Sequence, residues 1–389
     1  MTVNIAVIGC GALANGAHLP TIAASANLNL QVCCDRDPVL AKNSAEKWGA
    51  NRFCTDWQDV IDSDDVDMIV LCTHTNLRAA VICPALKKGI PVYTEKPMAN
   101  SREEMIQIFK ANQETGVSVC VGHNRRSSPA FQEFKRLLGE ARKTRTDRIS
   151  VVDRDSEGRE LVPEEFQTQV LLRMNDDARS WKPWIFDDEQ GIIYAEMVHL
   201  IDIALLLNTS HPVEVYAVGS SRGNFTQIIT FADGSLATLQ HTMVGNFDYP
   251  KELYEVTYGN VSIAMDQFVE VRQRGLQREA FKTTFELDTG AELTELKGID
   301  GFHDAVEKFY KMKETNEATD YPMVSVQKGH VAHLEIFAKH IQGECENPSP
   351  VEDAIVVTRI ALKMLQSIRI GMPVKIGPED YHMVKAKKA

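Results

Sequence analysis

The fold is decided by residues 3–14, which read Val3-Asn4-Ile5-Ala6-Val7-Ile8-Gly9-Cys10-Gly11-Ala12-Leu13-Ala14. The first half is mostly apolar and predicts a buried strand, and the glycines that follow predict a tight turn into a helix. This order fits the pattern GxGxxA, in which the first glycine permits the turn and the second lets the backbone approach a pyrophosphate. The candidate dinucleotide-binding residues are therefore Gly9, Gly11, Ala12 and Leu13. A glycine turn that binds no ligand is the alternative.

An acidic residue supports the dinucleotide interpretation. Asp35 closes the second predicted strand, 24 residues after Gly11, where a carboxylate can accept hydrogen bonds from both hydroxyls of an adenosine ribose. The same carboxylate would repel a 2′-phosphate, although Arg36 beside it would partly offset that repulsion by pairing with a phosphate or stacking on adenine. The sequence therefore predicts NAD as the cofactor, with NADP less favoured.

Residues 1–123 alternate short apolar runs with amphipathic helices, a pattern typical of a parallel sheet covered by helices. A capping box, Ser101 with Glu104, begins one of these helices, and Gly116 is suited to end it. We predict a doubly wound Rossmann domain over 1–123. Its strands are expected at Val3 to Ile8, Leu28 to Cys34, Val66 to Cys72, Pro91 to Thr94 and Val117 to Val121.

Residues 124–389 have a different pattern of apolar and polar residues. This pattern predicts a second, α+β domain with a large, mostly antiparallel sheet. Gly191 to Leu207 is apolar enough for a buried helix, and Val213 to Val271 alternates apolar and polar residues between turn signals at 233–234 and 259–260. A further helix is expected at about 350–370, and we allow for its packing back on the first domain.

Composition excludes several classes of partner. The 389 residues carry 42 basic and 54 acidic side chains, a formal charge of -12, which argues against nucleic acid and anionic membranes. No run of 18 apolar residues suits a membrane span, and the first apolar run lacks the basic region of a signal peptide. We therefore expect a cytoplasmic protein, and the seven of its eight cysteines that lie in the first third of the chain are expected to be buried free thiols.

No metal site is expected from the sequence. The eight cysteines include no CxxC pair and no spacing typical of zinc. His330 and His333, with Glu335 nearby, lie on an apolar helix pattern without an obvious third ligand, so core packing is the favoured interpretation.

Three motifs carry a resemblance to a known family. They are Thr94-Glu95-Lys96-Pro97, Gly122-His123-Asn124-Arg125-Arg126 and the pair His199 and Asp202. With the glycine loop, they resemble the glucose-fructose oxidoreductase and inositol dehydrogenase (Gfo/Idh/MocA) family over nearly the whole chain. The resemblance implies NAD(P)-dependent oxidation of sugars, cyclitols or their derivatives. It also implies that the sheet of the second, substrate-binding domain forms an oligomer interface, so a homo-oligomer (dimer, tetramer or larger) is expected.

The resemblance also implies roles for individual residues. Lys96 would lie beside the nicotinamide and the reacting hydroxyl, where an ammonium stabilises a developing alkoxide. His199 would accept the proton, and Trp181 and Glu95 would lie near the cofactor. A surface lysine and a core histidine are the structural alternatives. The residues expected to bind the hydroxyls of the substrate are His123, Asn124, Arg126 and Asp202.

Two departures from the family pattern matter. Members commonly have an aspartate four residues before the histidine, where this chain has Ala195. Glu196 is about 100° away on a 3.6-residue helix, so it is not expected to replace that aspartate directly. The usual T-P-x-x-x-H is also absent, and the residues in its place that are expected to line the cofactor are Thr73, His74 and Asn76.

The sequence therefore predicts an NAD-dependent oxidoreductase that acts on a secondary hydroxyl of a sugar, glycoside or cyclitol, with C3 of a glucose-like ring as the specific expectation. One alternative is a relative that cleaves glycosides through transient oxidation by bound NAD. The other is a non-catalytic NAD-binding regulator, which the loss of the carboxylate at Ala195 would allow and the presence of Lys96 and His199 opposes.

Overall fold

The computed structural model describes residues 2–144, 153–154, 160–161, 167–181, 184–187, 191–315, 317 and 323–380. Among them, residues 2–127, 329–359 and 378–380 form one compact unit, here unit 1. The described residues between 128 and 328, together with 360–377, form unit 2. The sequence placed one boundary at residue 123 and allowed only the helix at about 350–370 to pack back on the first domain. The structure differs because the chain returns to unit 1 at Gly329.

Unit 1 contains a six-stranded parallel sheet in the order β3-β2-β1-β4-β5-β6. Its strands are β1 (Val3–Ile8), β2 (Leu28–Cys34), β3 (Arg52–Cys54), β4 (Met68–Leu71), β5 (Val92–Thr94) and β6 (Val119–Val121). Its first helices are α1 (Leu19–Ala24), α2 (Pro38–Trp48), α3 (Trp57–Ile61), α4 (Arg78–Lys88) and α5 (Arg102–Thr115). This arrangement confirms the predicted Rossmann sheet, and its direction of winding reverses between β1 and β4, where such sheets bind ligands.

Local sequence signals set the ends of α5. The Ser101 hydroxyl accepts a hydrogen bond from the Glu104 N–H at 3.2 Å, as the capping box predicts. The Glu104 carboxylate reaches back to the N–H of Asn100 at 3.0 Å. Gly116 ends the helix with a φ of 68°, in the left-handed region that favours glycine.

Unit 2 contains a nine-stranded sheet in the order β16-β15-β14-β13-β9-β12-β11-β10-β19. Its strands are β9 (Gln169–Asn175), β10 (Pro212–Gly219), β11 (Phe225–Phe231), β12 (Leu236–Thr242), β13 (Glu252–Tyr258), β14 (Val261–Asp266), β15 (Glu270–Arg274), β16 (Lys282–Thr284) and β19 (Val374–Lys375). Two-stranded pairs are formed by β7 (Asp153–Arg154) with β8 (Glu160–Leu161) and by β17 (Leu287–Thr289) with β18 (Ser325–Val326). Neighbouring strands of the large sheet are antiparallel except β9 and β12, which confirms the predicted class of sheet.

Helices cover one face of this sheet. The helices of unit 2 are α6 (Pro129–Thr144), α7 (Trp184–Asp187), α8 (Val198–Leu207) and α9 (Gly298–Glu314). Helix α6 packs against β13, β14 and β15, and α8 packs against β9 and β12. Alternate residues of β11 and β13 are accordingly buried. Gly259 and Asn260 both have positive φ, at 53° and 64°, and form the predicted tight turn between β13 and β14.

The chain returns to unit 1 with α10 (His330–Ile341), and α11 (Val351–Ile370) follows, with its residues up to Arg359 in unit 1. Leu334, Phe337 and Ala338, spaced as on one face of a helix, are buried in the same core as Val7 and Tyr93. The Phe337 ring lies 6.3 Å from the Tyr93 ring, centroid to centroid. Helix α10 is therefore part of the Rossmann core.

Within the part of the chain that the structure describes, we find no helix with the length and apolar character needed to span a membrane.

We predict that Phe337→Ala lowers the free energy of unfolding by about 3–5 kcal/mol, because it leaves a cavity in the core of unit 1. Val331→Ala, on the same helix at a side chain that is 50% exposed, should cost less than about 0.5 kcal/mol. Urea unfolding monitored by circular dichroism measures both. Equal losses for the two variants would mean that α10 is not anchored in this core.

Candidate active site

The glycine loop lies at the carboxyl edge of the unit 1 sheet, between the ends of β1 and β4. Gly9 has a φ of 96°, and a Cβ at this position would lie 2.8 Å from both the carbonyl carbon and the oxygen of Cys72. Gly11 is exposed, and a Cβ there would have no protein atom within 4 Å. Gly9 is therefore required by the packing of the loop, whereas the space above Gly11 is left open.

Asp35 fastens this loop. One carboxylate oxygen accepts a hydrogen bond from the Cys10 N–H at 2.8 Å, and the other accepts one from the Asp37 N–H at 3.0 Å. Each oxygen has a second lone pair for a ribose hydroxyl. Arg36, its neighbour, is exposed. The structure thus gives Asp35 a role in shaping the loop that the sequence did not predict.

The residues around the loop fit a dinucleotide. Ala12 and Leu13 are exposed at the start of the helical segment that follows the loop, where backbone N–H groups favour anions. The Thr73 hydroxyl, just after β4, is buried and has no hydrogen-bond partner among the described residues. His74 and Asn76 are exposed in the next turn. Open space over Gly11 and an unsatisfied hydroxyl at one edge are consistent with a bound cofactor.

Lys96 follows β5 at the same edge and is half-buried. The Lys96–Pro97 peptide bond is cis. The Arg78 guanidinium, buried beneath this segment, donates hydrogen bonds to the carbonyls of Glu95, Pro97 and Thr73. The backbone on both sides of Lys96 is therefore held by one buried cation that sequence reasoning missed.

Glu95, which was expected to contact the cofactor, is buried and engaged by His18. The Nε2 atom of His18 lies 2.7 Å from the Glu95 Oε1 atom. Burial disfavours both charges, but Cys72 and Glu95 outweigh it at His18 and raise the histidine pKa to about 10. Burial likewise opposes ionisation of Glu95, and His18, Lys96 and His330 outweigh it, lowering the carboxyl pKa to about 2.

The Gly122-to-Arg126 motif lies after β6 and is buried in unit 1, including His123 and Asn124. Arg126 forms an ion pair with Asp353 at 2.7 Å and donates a hydrogen bond to the Pro348 carbonyl at 3.0 Å. These contacts tie β6 to the start of α11 inside unit 1. They favour a structural role for Arg126 over the predicted contact with substrate.

His199 and Asp202 lie on α8 of unit 2, one turn apart, and are 2% and 1% exposed. The five residues before this helix, Ile193–Met197, form a π-helical turn. The 3.6-residue geometry assumed for Ala195 and Glu196 is therefore wrong at this point, because a π-helix bonds residues five apart. The position of Glu196 follows from a contact instead, an ion pair with Lys251 at 3.4 Å.

A group of polar residues in unit 2, the Lys251 cluster, was not predicted. It contains Asp176, Trp181, Glu196, His241 and Lys251. Lys251 lies 3.0 Å from Asp176, and the Trp181 indole donates a hydrogen bond to the same carboxylate at 2.9 Å. Burial opposes the charge of Asp176, but His241, Lys251 and Trp181 outweigh it and lower its pKa to about 2. His241 and Lys251 lie far along the chain from Asp176 and Trp181, so no local sequence signal joins the whole cluster.

Of the two histidines considered as a metal pair, His333 is buried and takes part in packing. His333 Nδ1 lies 2.8 Å from the Ser127 hydroxyl, and its Nε2 lies 3.2 Å from the Val121 carbonyl oxygen. Glu335 accepts a hydrogen bond from Ser25 at 3.0 Å. Within the described ranges, no group of three or more histidine, cysteine, aspartate or glutamate side chains is arranged to hold a metal ion.

We predict that Gly9→Ala and Gly11→Ala separate stability from cofactor binding. Gly9→Ala should lower the free energy of unfolding by at least about 1 kcal/mol, because its Cβ meets the Cys72 backbone at a positive φ. Gly11→Ala should leave stability within about 0.5 kcal/mol and weaken NAD binding about tenfold. Thermal unfolding and isothermal titration measure the two effects. Normal NAD binding by Gly11→Ala would contradict the site.

Comparisons with known proteins agree with the Rossmann fold and with NAD as the cofactor. Residues 3–123 match the Gfo/Idh/MocA family model, described as an oxidoreductase family with an NAD-binding Rossmann fold. The uncharacterized oxidoreductase YrbE of Bacillus subtilis (strain 168) is 22% identical over 382 residues, 95% of either chain. Inositol 2-dehydrogenase of Rhizobium meliloti (strain 1021) is 24% identical over 221 residues, 57% of this chain and 59% of the relative.

The fold also matches that of a solved levoglucosan dehydrogenase in complex with NADH and levoglucosan. The TM-score is 0.70 at 18% identity, over 97% of this chain and all of the other. With the Rossmann sheet, the glycine loop and the E-K-P segment in place, these matches lead to one conclusion. Residues 3–123 match the NAD-binding Rossmann domain of the Gfo/Idh/MocA oxidoreductase family, and the rest of the chain shares the fold of the levoglucosan dehydrogenase.

Proposed function

We propose that the protein is an NAD-dependent oxidoreductase that moves a hydride between nicotinamide and a secondary hydroxyl of a sugar, glycoside or cyclitol. The proposal rests mainly on the position of Lys96. Its amine lies at the carboxyl edge of the NAD-binding sheet, and the buried Arg78 holds the backbone on both sides of it. Within this class, we propose C3 of a glucose-like ring as the oxidised carbon. The named inositol and levoglucosan dehydrogenases among the relatives support a polyol or cyclic sugar as substrate.

The roles follow from the chemistry of the side chains. NAD, when bound, supplies the hydride acceptor. The Lys96 ammonium stabilises the negative charge that develops on the substrate oxygen as the hydride leaves. His199 accepts the proton of the hydroxyl, a step for which an imidazole is suited near neutral pH. Asp202, one turn along α8, is proposed to orient the substrate.

The Lys251 cluster supports recognition of a polyol. A sugar presents several hydroxyls and an apolar ring face, which carboxylates, ammonium groups and an indole can bind together. Trp181, Asp176 and Lys251 supply these groups within unit 2, and Trp181 remains partly exposed. We propose that this cluster is the part of unit 2 that selects the substrate. His123 and Asn124 remain the proposed substrate-binding residues of unit 1.

One face of the large sheet supports self-association. Leu171 of β9 and Ile228 of β11 lie in one row, on either side of Thr238, and are 38% and 39% exposed. An open sheet with an apolar row on its uncovered face favours pairing with a second copy. We propose a homo-oligomer formed through this face.

We predict that Lys96→Ala and His199→Ala each lower turnover by about 10²-fold or more, because each removes a positioned charge or proton acceptor. Lys110→Ala and His211→Ala, at exposed residues, should keep wild-type turnover. The assay is a screen of sugars, glycosides and cyclitols that follows free and protein-bound NADH. Release of an aglycone without net NADH would favour the glycoside-cleaving alternative, and full activity of both alanine variants would refute the proposed site.

We predict that the protein binds NAD more tightly than NADP and that Asp35→Ser narrows the ratio of the two affinities by about tenfold. Asp35 also accepts a hydrogen bond from the Cys10 N–H, so its loss is expected to weaken the binding of both NAD and NADP. The ratio of the two affinities is therefore the informative quantity. Asp37→Ser removes the same charge two residues away and should leave the ratio unchanged. Tighter binding of NADP by the wild-type protein would overturn the assignment.

A further inference from the structure

The buried pair of His18 and Glu95 has no part in the roles assigned above. His18 is the last residue of the π-helical turn Ala14–His18, which follows the glycine loop, and Glu95 directly precedes Lys96. The two side chains are 1% and 4% exposed and lie 2.7 Å apart. The pair therefore connects the loop proposed to bind NAD with the lysine proposed to act on the substrate.

The surroundings of Glu95 leave its side chain little freedom. Its second oxygen, Oε2, lies 3.3 Å from the backbone nitrogen of Lys96, which donates to it. A Cβ at Gly122 would lie 3.0 Å from Oε1, so the glycine of the Gly122-to-Arg126 motif makes room for this carboxylate. Arg78 holds the Glu95 carbonyl from below. The carboxylate is thus fixed next to the backbone of Lys96.

The pair is ionised near neutral pH, and the groups around it can be named. The His18 ring packs edge-on against the Tyr93 ring at 5.4 Å between centroids. The other titratable or charged groups that act on the pair are Cys72, Arg78, Lys96, Cys120 and His330. A carboxylate and an imidazolium in contact largely cancel each other's charge, which keeps an isolated charge out of the interior.

We propose that His18 and Glu95 are positioning residues for Lys96. Glu95 fixes the backbone of Lys96 and places a negative charge near the Lys96 ammonium. His18 holds the Glu95 side chain in place and offsets its negative charge. This inference rests on the proposed function of Lys96. Without His18, a full carboxylate charge remains beside Lys96 and strengthens its hold on the proton.

The test compares four variants of the full-length protein, His18→Gln, Glu95→Gln, the double variant and His340→Gln. His18→Gln keeps a donor for Glu95 but removes the charge. We expect it to lower kcat about tenfold, to change the Kd for NAD less than about twofold, and to move the alkaline limb of the kcat profile to higher pH. The double variant removes both charges and should return that limb toward its wild-type position.

His340→Gln alters another histidine of unit 1, one bound to Ser118, and should leave the limb unchanged. Glu95→Gln should lower kcat and shift the limb to lower pH. An unchanged kcat and limb in both single variants would overturn the proposal. Gly122→Ala displaces Glu95 without changing any charge, and it should lower kcat without moving the limb. A wild-type kcat in Gly122→Ala would also contradict the proposed positioning role of Glu95.

A measurement independent of turnover tests the pair itself. The raised pKa of His18 adds stability that is complete below the ordinary value of 6.5 and disappears as the pH rises through about 10. The lowered pKa of Glu95 adds stability that is complete above 4.5 and disappears toward about 2. The decrease in Tm caused by His18→Gln should therefore be largest between pH 4.5 and pH 6.5, and it should become smaller toward alkaline pH. An equal loss at all pH values would overturn the ion pair.

Failure of this inference is distinguishable from failure of the proposed function. Lys96→Ala is assayed in parallel with the His18 variants. If Lys96→Ala keeps full turnover, the function proposed for Lys96 is wrong. If Lys96→Ala is inactive while His18→Gln matches the wild type in kcat and in its pH profile, only the positioning role is wrong.

Discussion

The close packing of Gly9 against the Cys72 carbonyl is the constraint on which the proposed cofactor site depends. No side chain fits there, so the loop after β1 can lie directly against the end of β4, where the winding of the sheet reverses. Asp35 then locks the loop from the β2 side through the Cys10 N–H. The helical turn that follows carries His18 to Glu95 at the end of β5. Four strand ends are thereby joined around one edge.

Both units keep carboxylates ionised in their interiors, and they do so with different cations. Glu95 is held by an imidazolium in unit 1, and Asp176 is held by an ammonium and an indole N–H in unit 2. Burial alone would raise the pKa of each carboxyl, but the partners lower both to about 2. Strongly perturbed carboxylates of this kind are frequent at functional sites, and Glu95 accepts a hydrogen bond from the backbone of Lys96, a residue proposed to act in the reaction.

Features encoded over a few neighbouring residues were predicted well. Strands β1 and β2 have the predicted bounds, the Ser101 cap forms, and the Gly259-Asn260 turn has the expected positive φ. Features that depend on contacts between distant parts of the chain were not predicted. The apolar face of α10 does not specify which sheet it covers, β3 is too short to show a period, and the π-helical turn before His199 breaks the 3.6-residue rule. His18 and Glu95 are 77 residues apart, and His241 and Lys251 are far from the other members of the Lys251 cluster, so no short sequence spacing indicates either group.

The proposed activity is the transfer of a hydride from a ring carbon of a polyol to NAD. In the most direct measurement, the protein and NAD are incubated with sugars or cyclitols that are deuterated at one secondary carbon at a time. The nicotinamide is then analysed by mass spectrometry. The proposed activity predicts deuterium at the nicotinamide C4 position for one labelled carbon, C3 in a glucose-like ring. A protein that binds NAD and a polyol yet transfers no deuterium from any labelled carbon would contradict it.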